Sequence, residues 1–394
     1  MSLTFAINAG SSSLKFQLIE MPEEKAIAKG LVERIGIDHS LLELEYNGET
    51  YEVREDIPNH ERAVELLFEQ LQEHNVIDNY DDITGVGHRV VNGGEDIKDS
   101  TLVTEELIER VEELSELAPL HNPPQAQVMR VFKDKLPKAT MVAVFDTSFH
   151  TSLPAENYLY SIPTEYYEEY GVRKYGAHGT SHKYVAERAA EMLDRPLEEL
   201  KLITCHLGNG ASITAVENGQ SVDTSMGFTP LAGITMGTRS GDIDVSILPY
   251  LMEKLNLTDV SDMIDILNKQ SGVLGLSGVS SDMRDVEGAA NEGNERAILA
   301  LDIYVNRIQK YIGQYIATMN GVDGIVFTAG VGENSAYMRD RIIKGISWFG
   351  IELDSKANDT REEAIISSKD SKVAVLNIPT NEEIAIARDV ERLK

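Results

Sequence analysis

Two arginines, an aspartate and a histidine stand among glycines, serines and threonines: Arg89 in GHRVVNGG, Arg239 in MGTRSGDID, Asp146 in FDTSFH and His178 in YGAHGTSH. A guanidinium keeps its charge and presents a planar fork that grips a carboxylate or phosphate through paired hydrogen bonds. An arginine after a glycine turn is normally a solvated surface residue, so the argument rests on what accompanies these. Three segments supply phosphate-type turns: TFAINAGSSSLKF (4–16), ITCHLGNGAS (203–212) and GIVFTAGVGENSA (324–336). In each, a β-type run breaks into small residues, whose backbone N–H groups can approach an anion with no Cβ in the way. The first adds Asn8, Ser11, Ser13 and Lys15, and the second Gly208 and Gly210. In the third, Gly330-Val331-Gly332 follows a strand and Glu333 to Arg341 can continue as a helix, offering a helix N-terminus or a tight backbone surface. The chemistry indicated is a nucleotide held between two similar halves.

The elements that must position these residues follow from hydrophobic spacing. Leu3, Phe5 and Ile7 alternate before the first turn, and Leu14, Phe16 and Leu18 after it, which predicts a β-hairpin. A third strand is expected near Leu41 to Tyr51, then a helix from about Glu61 with Ala63, Leu67 and Leu71 on one face. Strand 85–91, a helix capped by Thr104 and strand 141–146 complete a first portion in the order ββ, β, α, β, α, β. A similar series begins at Lys201: a hairpin over 202–222, helices through 266, a long helix from Asn294 to Met319 and a strand at 324–328. Ile298, Leu301, Val305, Ile308, Ile312 and Ile316 on the long helix suggest burial on more than one side, in the core by default and in a dimer as the alternative. The repetition indicates a duplication.

Composition narrows the class. The chain of 394 residues has room for two domains, one of them completed by a returning terminus. Its formal charge of −29 disfavours nucleic acid and anionic membranes as partners, so an anionic substrate must meet a local cluster of Arg and Lys. No apolar run approaches the ~20 residues of a membrane span, and a soluble cytoplasmic protein is expected. The single cysteine, Cys205, lies among apolar neighbours and reads as a buried thiol. No GxxxxGK[ST], GxGxxG or GxSxG run occurs, which removes the usual P-loop and the simplest dinucleotide and hydrolase readings. His178 and His182 have i, i+4 spacing but lack the Glu of HExxH, and Gly179-Thr180 reads as a helix entry rather than part of a zinc site.

The ordered series NAGSSSLKF, GHRVVNGG, FDTSFH, YGAHGTSH, HLGNGAS, MGTRSGDID, FTAGVGEN and PTNEE resembles the acetate and propionate kinases from residue 4 to about 388. The resemblance implies an α/β chain of two duplicated ribonuclease-H-like (actin-like ATPase) domains with nucleotide in the interdomain cleft. The domains would be 1–149 completed by 384–394, and 150–383. The implied reaction is reversible, Mg²⁺-dependent transfer (Mn²⁺ serving as well) from ATP to acetate, giving ADP and acetyl phosphate. A propionate kinase is the close alternative, and a non-kinase actin-like nucleotide module the distant one. By the same resemblance Asp146, His178 and Arg239 are catalytic, Arg89 binds the acceptor and transferring phosphoryl, and Val91, Leu120, Ala177 and Pro230 surround its alkyl group. Ala177 departs from the aromatic residue often found beside the catalytic His. Ser11, Ser13 and Lys15, then His206, Leu207, Gly208, Asn209 and Gly210, match the phosphate hairpins. Asp282, Met283, Arg284, Gly330, Val331, Gly332, Glu333 and Asn334 match adenosine and ribose contacts, and Asn8 and Glu382 the magnesium positions. An acceptor carboxylate is ionised at neutral pH and needs no general base, so Asp146 is expected to orient Arg239, metal or water. A homodimer through the second domain is implied as well.

Overall fold

The computed structural model describes residues 2–394. The chain divides into two compact units, one running to Thr151 and taking back Asn381–Lys394, the other Ser152–Thr380. The return therefore falls at 381 rather than 384, which moves Glu382 and Glu383 into the first unit.

The first unit is built on an eight-stranded sheet. Its strands are β1 (Ser2–Ala9), β2 (Ser13–Met21), β3 (Lys25–Glu33), β4 (Leu41–Tyr46), β5 (Glu49–Arg54), β6 (Ile83–Val90), β7 (Thr101–Leu102) and β8 (Thr140–Phe145). Their order is β5-β4-β3-β2-β1-β6-β8-β7. Strands β1 to β5 form an antiparallel meander, whereas β6 and β8 run parallel to β1. Two sequence expectations need correction. The region expected as one strand near 41–51 is a hairpin, turned at Asn47 and Gly48, both at positive φ. The actual third strand, β3, has the half-polar run KAIAKGLVE, whose alternation is too diluted to stand out.

One face of this sheet packs on helices His60–Glu73 and Asn122–Lys135 around Phe5, Phe68 and Phe132, whose rings meet edge-on or tilted. On the opposite face Ala6, Ile19, Val142 and Val144 pack against Ile384, Ile386, Ala387 and Val390 of the helix Glu382–Leu393. Glycine lets that helix approach: a methyl group at Gly87 would lie 2.1 Å from Ile386 Cγ2, and one at Gly85 2.6 Å from Val390 Cγ1.

The second unit repeats the plan on six strands: β9 (Lys201–Leu207), β10 (Ala211–Glu217), β11 (Gln220–Thr224), β12 (Gly324–Thr328), β13 (Ala364–Ile365) and β14 (Ala374–Asn377). The order is β11-β10-β9-β12-β14-β13. The run β11-β10-β9-β12-β14 matches β3-β2-β1-β6-β8: three antiparallel strands joined by hairpins, then two parallel to the first of them. The long helix Glu295–Thr318 starts at Asn294, whose side chain accepts from Ala297 N–H. It buries Leu301, Val305, Ile308 and Ile312 but leaves Ile298 and Leu299 exposed, so the expected burial on several sides is limited to one stripe. The helix expected over 333–341 is two helices, Ala329–Asn334 and Ala336–Lys344. Ser335 separates them because its hydroxyl caps the second, accepting from Met338 N–H at 3.2 Å.

Candidate functional site

In the first unit the functional side chains gather where the parallel strands end. Asn8, Arg89 and Val144 lie in register across β1, β6 and β8, and Asp146 follows the end of β8. The backbone around them is tied down. Gln125 donates to Ala9 C=O at 3.2 Å and accepts from Val91 N–H at 3.0 Å, bridging the ends of β1 and β6. Asn122 donates to Asn92 C=O, and Thr147 Oγ1 accepts from Gly93 N–H. His60 hydrogen-bonds Gly10 C=O at 2.8 Å, fixing the first hairpin turn.

Arg89 donates through Nε (2.9 Å) and Nη2 (2.7 Å) to the buried carboxylate of Asp146. That neighbour holds its pKa far above the ordinary range against the cost of burial, so the charge is permanent. Its Nη1 makes no hydrogen bond with the described residues and can serve an incoming anion. Asp146 therefore orients Arg89, a partner the sequence reading of Asp146 did not name. Glu382 lies 3.9 Å from Arg89 Nε, and its Oε2 is buried without a hydrogen bond. Burial raises its pKa, with Asp146 and Glu383 adding repulsion and Arg89 opposing. A buried, underused carboxylate oxygen beside Asp146 and in the same strand-end region as Asn8 suits a hard divalent cation. Among the described residues no cluster of three or more His, Cys, Asp or Glu has metal-site geometry. Magnesium does not require one, since it binds through one or two carboxylates, waters and substrate phosphates. Lys15 is paired with Glu383 at 2.8 Å, which leaves two of its three N–H donors for another partner, and Ser11 is exposed at the turn. Leu120 is exposed and Val91 half-buried.

In the second unit the tips of Arg239 and His178 converge on the glycine hairpin. A methyl group at Gly210 would stand 3.4 Å from Arg239 Nη1 and 3.6 Å from His178 Nε2. Burial alone shifts Arg239, downward, with no carboxylate offsetting it. Its Nη1 donates to Pro230 C=O at 3.3 Å, leaving a charged fork ready for an external anion. His178 adopts φ +55° just before the helix Gly179–Met192, a left-handed conformation that is unusual for a non-glycine residue and aims its ring. Nδ1 is hydrogen-bonded to Ser212 Oγ (2.9 Å), and the ring stacks on His206 with centroids 4.1 Å apart. His182 has both nitrogens engaged by hydroxyls, Thr204 and Ser212, each at 2.7 Å, so it braces the cluster. Ser212 and Ser181, absent from the sequence reading, carry these contacts; a serine in a strand or helix gives no distinctive signal.

Beside the hairpin lies a cavity of about 710 Å³, a size suited to a nucleotide or similar ligand. Gly208, Asn209, Asp282, Met283, Arg284, Gly330, Val331 and Asn334 line it as expected neighbours, and Gly237, Glu287, Tyr304, Ser335 and Arg361 join them. Asp282 caps the helix Met283–Asn291, and its hydrogen bonds to Arg284 pull its pKa to about 2. His206, Leu207, Gly210, Gly332 and Glu333 are not part of the cavity wall. Glu333 turns toward the backbone, and Gly332 is buried against Phe327. Ala177 is buried in the hydrophobic core of this unit. Cys205 is also buried there, and burial raises its thiol pKa, which fits a packed residue.

Two copies of one mixed-sheet plan, each with a small-residue hairpin between its first two strands, define the duplicated actin-like ATPase fold. The acetokinase family model matches residues 3–388, and the chain belongs to that family. Over the full length of both sequences it is 62% identical to the acetate kinase of Enterococcus faecalis. The crystal structure of Porphyromonas gingivalis acetate kinase superposes with a TM-score of 0.97 at 44% identity, covering 100% of each chain. A propionate kinase from Francisella tularensis is similar with a TM-score of 0.92 at 39% identity, again covering 100% of both.

Proposed function

We propose that the chain catalyses reversible phosphoryl transfer between ATP and acetate, forming ADP and acetyl phosphate by direct in-line displacement. Acetate is favoured over propionate because the curated full-length relatives at 56–62% identity are acetate kinases, whereas the propionate kinase stands at 39%. The observation that carries the chemistry is the state of the two arginines. Among the described residues, Arg89 is preset by Asp146 and keeps its Nη1 without a hydrogen bond, and Arg239 is a half-buried cation without a carboxylate partner. Transfer between two anions needs such fixed charge more than it needs a base.

On this reading Arg89 receives the acetate carboxylate, Arg239 and His178 stabilise the equatorial oxygens of the moving phosphoryl group, and the 208–210 hairpin faces the nucleotide phosphates. The cavity takes the nucleoside. Asn8 and Glu382 would hold Mg²⁺ directly or through water. When bound, the ion supplies neutralisation of phosphate charge. No side chain need become phosphorylated, because the acceptor oxygen is itself nucleophilic. A homodimer fits one further feature: the apolar helix Ile247–Leu255 buries none of its residues within the chain, and Val245 and Val260 flank it exposed.

Hydroxylamine trapping tests the assignment. Acetate, MgATP and the protein should yield acetyl hydroxamate, with propionate a poorer acceptor. Absence of hydroxamate despite nucleotide binding would defeat the proposal.

A further inference from the structure

Glu333 sits in the glycine loop that lines the cavity, yet its carboxylate is spent on the protein itself. Oε1 accepts from Ala329 N–H at 2.8 Å, Thr380 N–H at 3.0 Å and Thr328 Oγ1 at 3.4 Å. Ala329 needs such support, because it opens the loop's short helix at φ +64°, where an L-residue is strained. Thr380 is held from a second side: its hydroxyl is 2.9 Å from Ser181 Oγ, which in turn is 2.8 Å from His206 Nδ1. Three segments therefore meet at Thr380: the cavity loop through Glu333, the phosphate hairpin through His206 and Ser181, and the chain leading onward. The next residue, Asn381, caps the helix that begins with Glu382.

We infer that Glu333 is a positioning residue rather than a nucleotide ligand, and that with Thr380 it links the cavity wall to the segment that sets Glu382. The inference rests on the nucleotide reading of the cavity. The link depends on an oxygen that accepts two backbone N–H groups, not on negative charge. An amide can replace it and a methyl group cannot.

Three variants, Glu333→Gln, Glu333→Ala and Thr380→Val, test this by calorimetric titration with MgADP, by the Mg²⁺ dependence of turnover and by acetate KM. Losing the shared acceptor should weaken MgADP and raise the Mg²⁺ requirement about tenfold in Glu333→Ala, with acetate KM changed less than about twofold. Glu333→Gln should stay within about threefold of the parent in all three. Amide exchange of residues 380–386 should slow on MgADP binding in the parent and lose that response in Glu333→Ala. The inference is overturned if Ala and Gln are equally impaired, since charge would then matter, or if Ala behaves as the parent does. Should Glu333→Ala not fold, Glu333→Gln and Thr380→Val decide, since both keep an acceptor at 333 and the Thr380 N–H: a rise of about tenfold in the Mg²⁺ requirement of either overturns the inference. A parent protein that binds no MgADP would instead sink the nucleotide reading.

Discussion

The contrast between the arginines sets what single substitutions should do. Asp146 is valuable through Arg89, so Asp146→Asn should leave the fold and MgADP affinity nearly intact while turnover falls ~10²–10³-fold, the usual loss when a preset donor is freed. Steady-state kinetics beside nucleotide titration checks this, and near-parental turnover would show that Arg89 needs no orienting partner. Glu382 gives a pH signature. Its folded pKa is raised, mainly by burial, so on the proposed metal role it holds its proton above the ordinary glutamate range and must release it to bind Mg²⁺. Metal affinity should therefore be full above that raised value and fall as pH drops through it. Mg²⁺ titrations across weakly acidic pH should show this fall in the parent and not in Glu382→Gln. A flat dependence in the parent would remove Glu382 from the metal. At this scale glycine-isolated charged residues, as at Arg89, Arg239 and His178, are what the sequence offers as candidates. It was silent on Gln125, Ser181, Ser212 and Thr380, whose partners lie far along the chain and whose residue types carry no signal of their own.

The elements decide where those residues are held. Helix Glu382–Leu393 brings Glu382 to the strand ends only because Gly85 and Gly87 leave β6 without side chains under it. Gly87→Val should push the helix off its bed, destabilising the protein by about 1–3 kcal/mol and raising the Mg²⁺ requirement together. Denaturant unfolding and metal titration measure both, and a stability loss with unaltered Mg²⁺ dependence would separate the helix seat from the metal. The hairpins around the phosphate turns and the long helix were readable from spacing. The β4–β5 hairpin has a usable sign in Asn47-Gly48, a pair suited to tight reversals, although the surrounding run reads as one strand. Strand β3 could not be read in isolation, because only Ala28 and Val32 are buried and the residues between them are half-buried or polar, too few apolar positions to show an alternation.

Across the whole molecule, the helix Ile247–Leu255 is the feature a solitary chain least explains. Sedimentation equilibrium at micromolar concentration should report a dimer, and Tyr250→Glu on the exposed face should shift it toward monomer. A monomeric parent would end that assignment. Duplication was legible as a repeated order of elements, whereas the return of 384–394 to the first unit came only from the family resemblance, since a terminal amphipathic helix does not announce the sheet it covers. That return has a consequence for synthesis. The ribosome makes the first unit's strands early and its covering helix last, with the contiguous second unit in between. At ~5–20 residues per second the gap from 151 to 381 lasts roughly ten to fifty seconds. Throughout it the sheet face bearing Ala6, Ile19, Val142 and Val144 waits bare, so the second unit can close while the first is still an open, adhesive half-structure. That face can stay covered only once the helix Glu382–Leu393 has emerged, and the same helix delivers the carboxylate proposed for the metal.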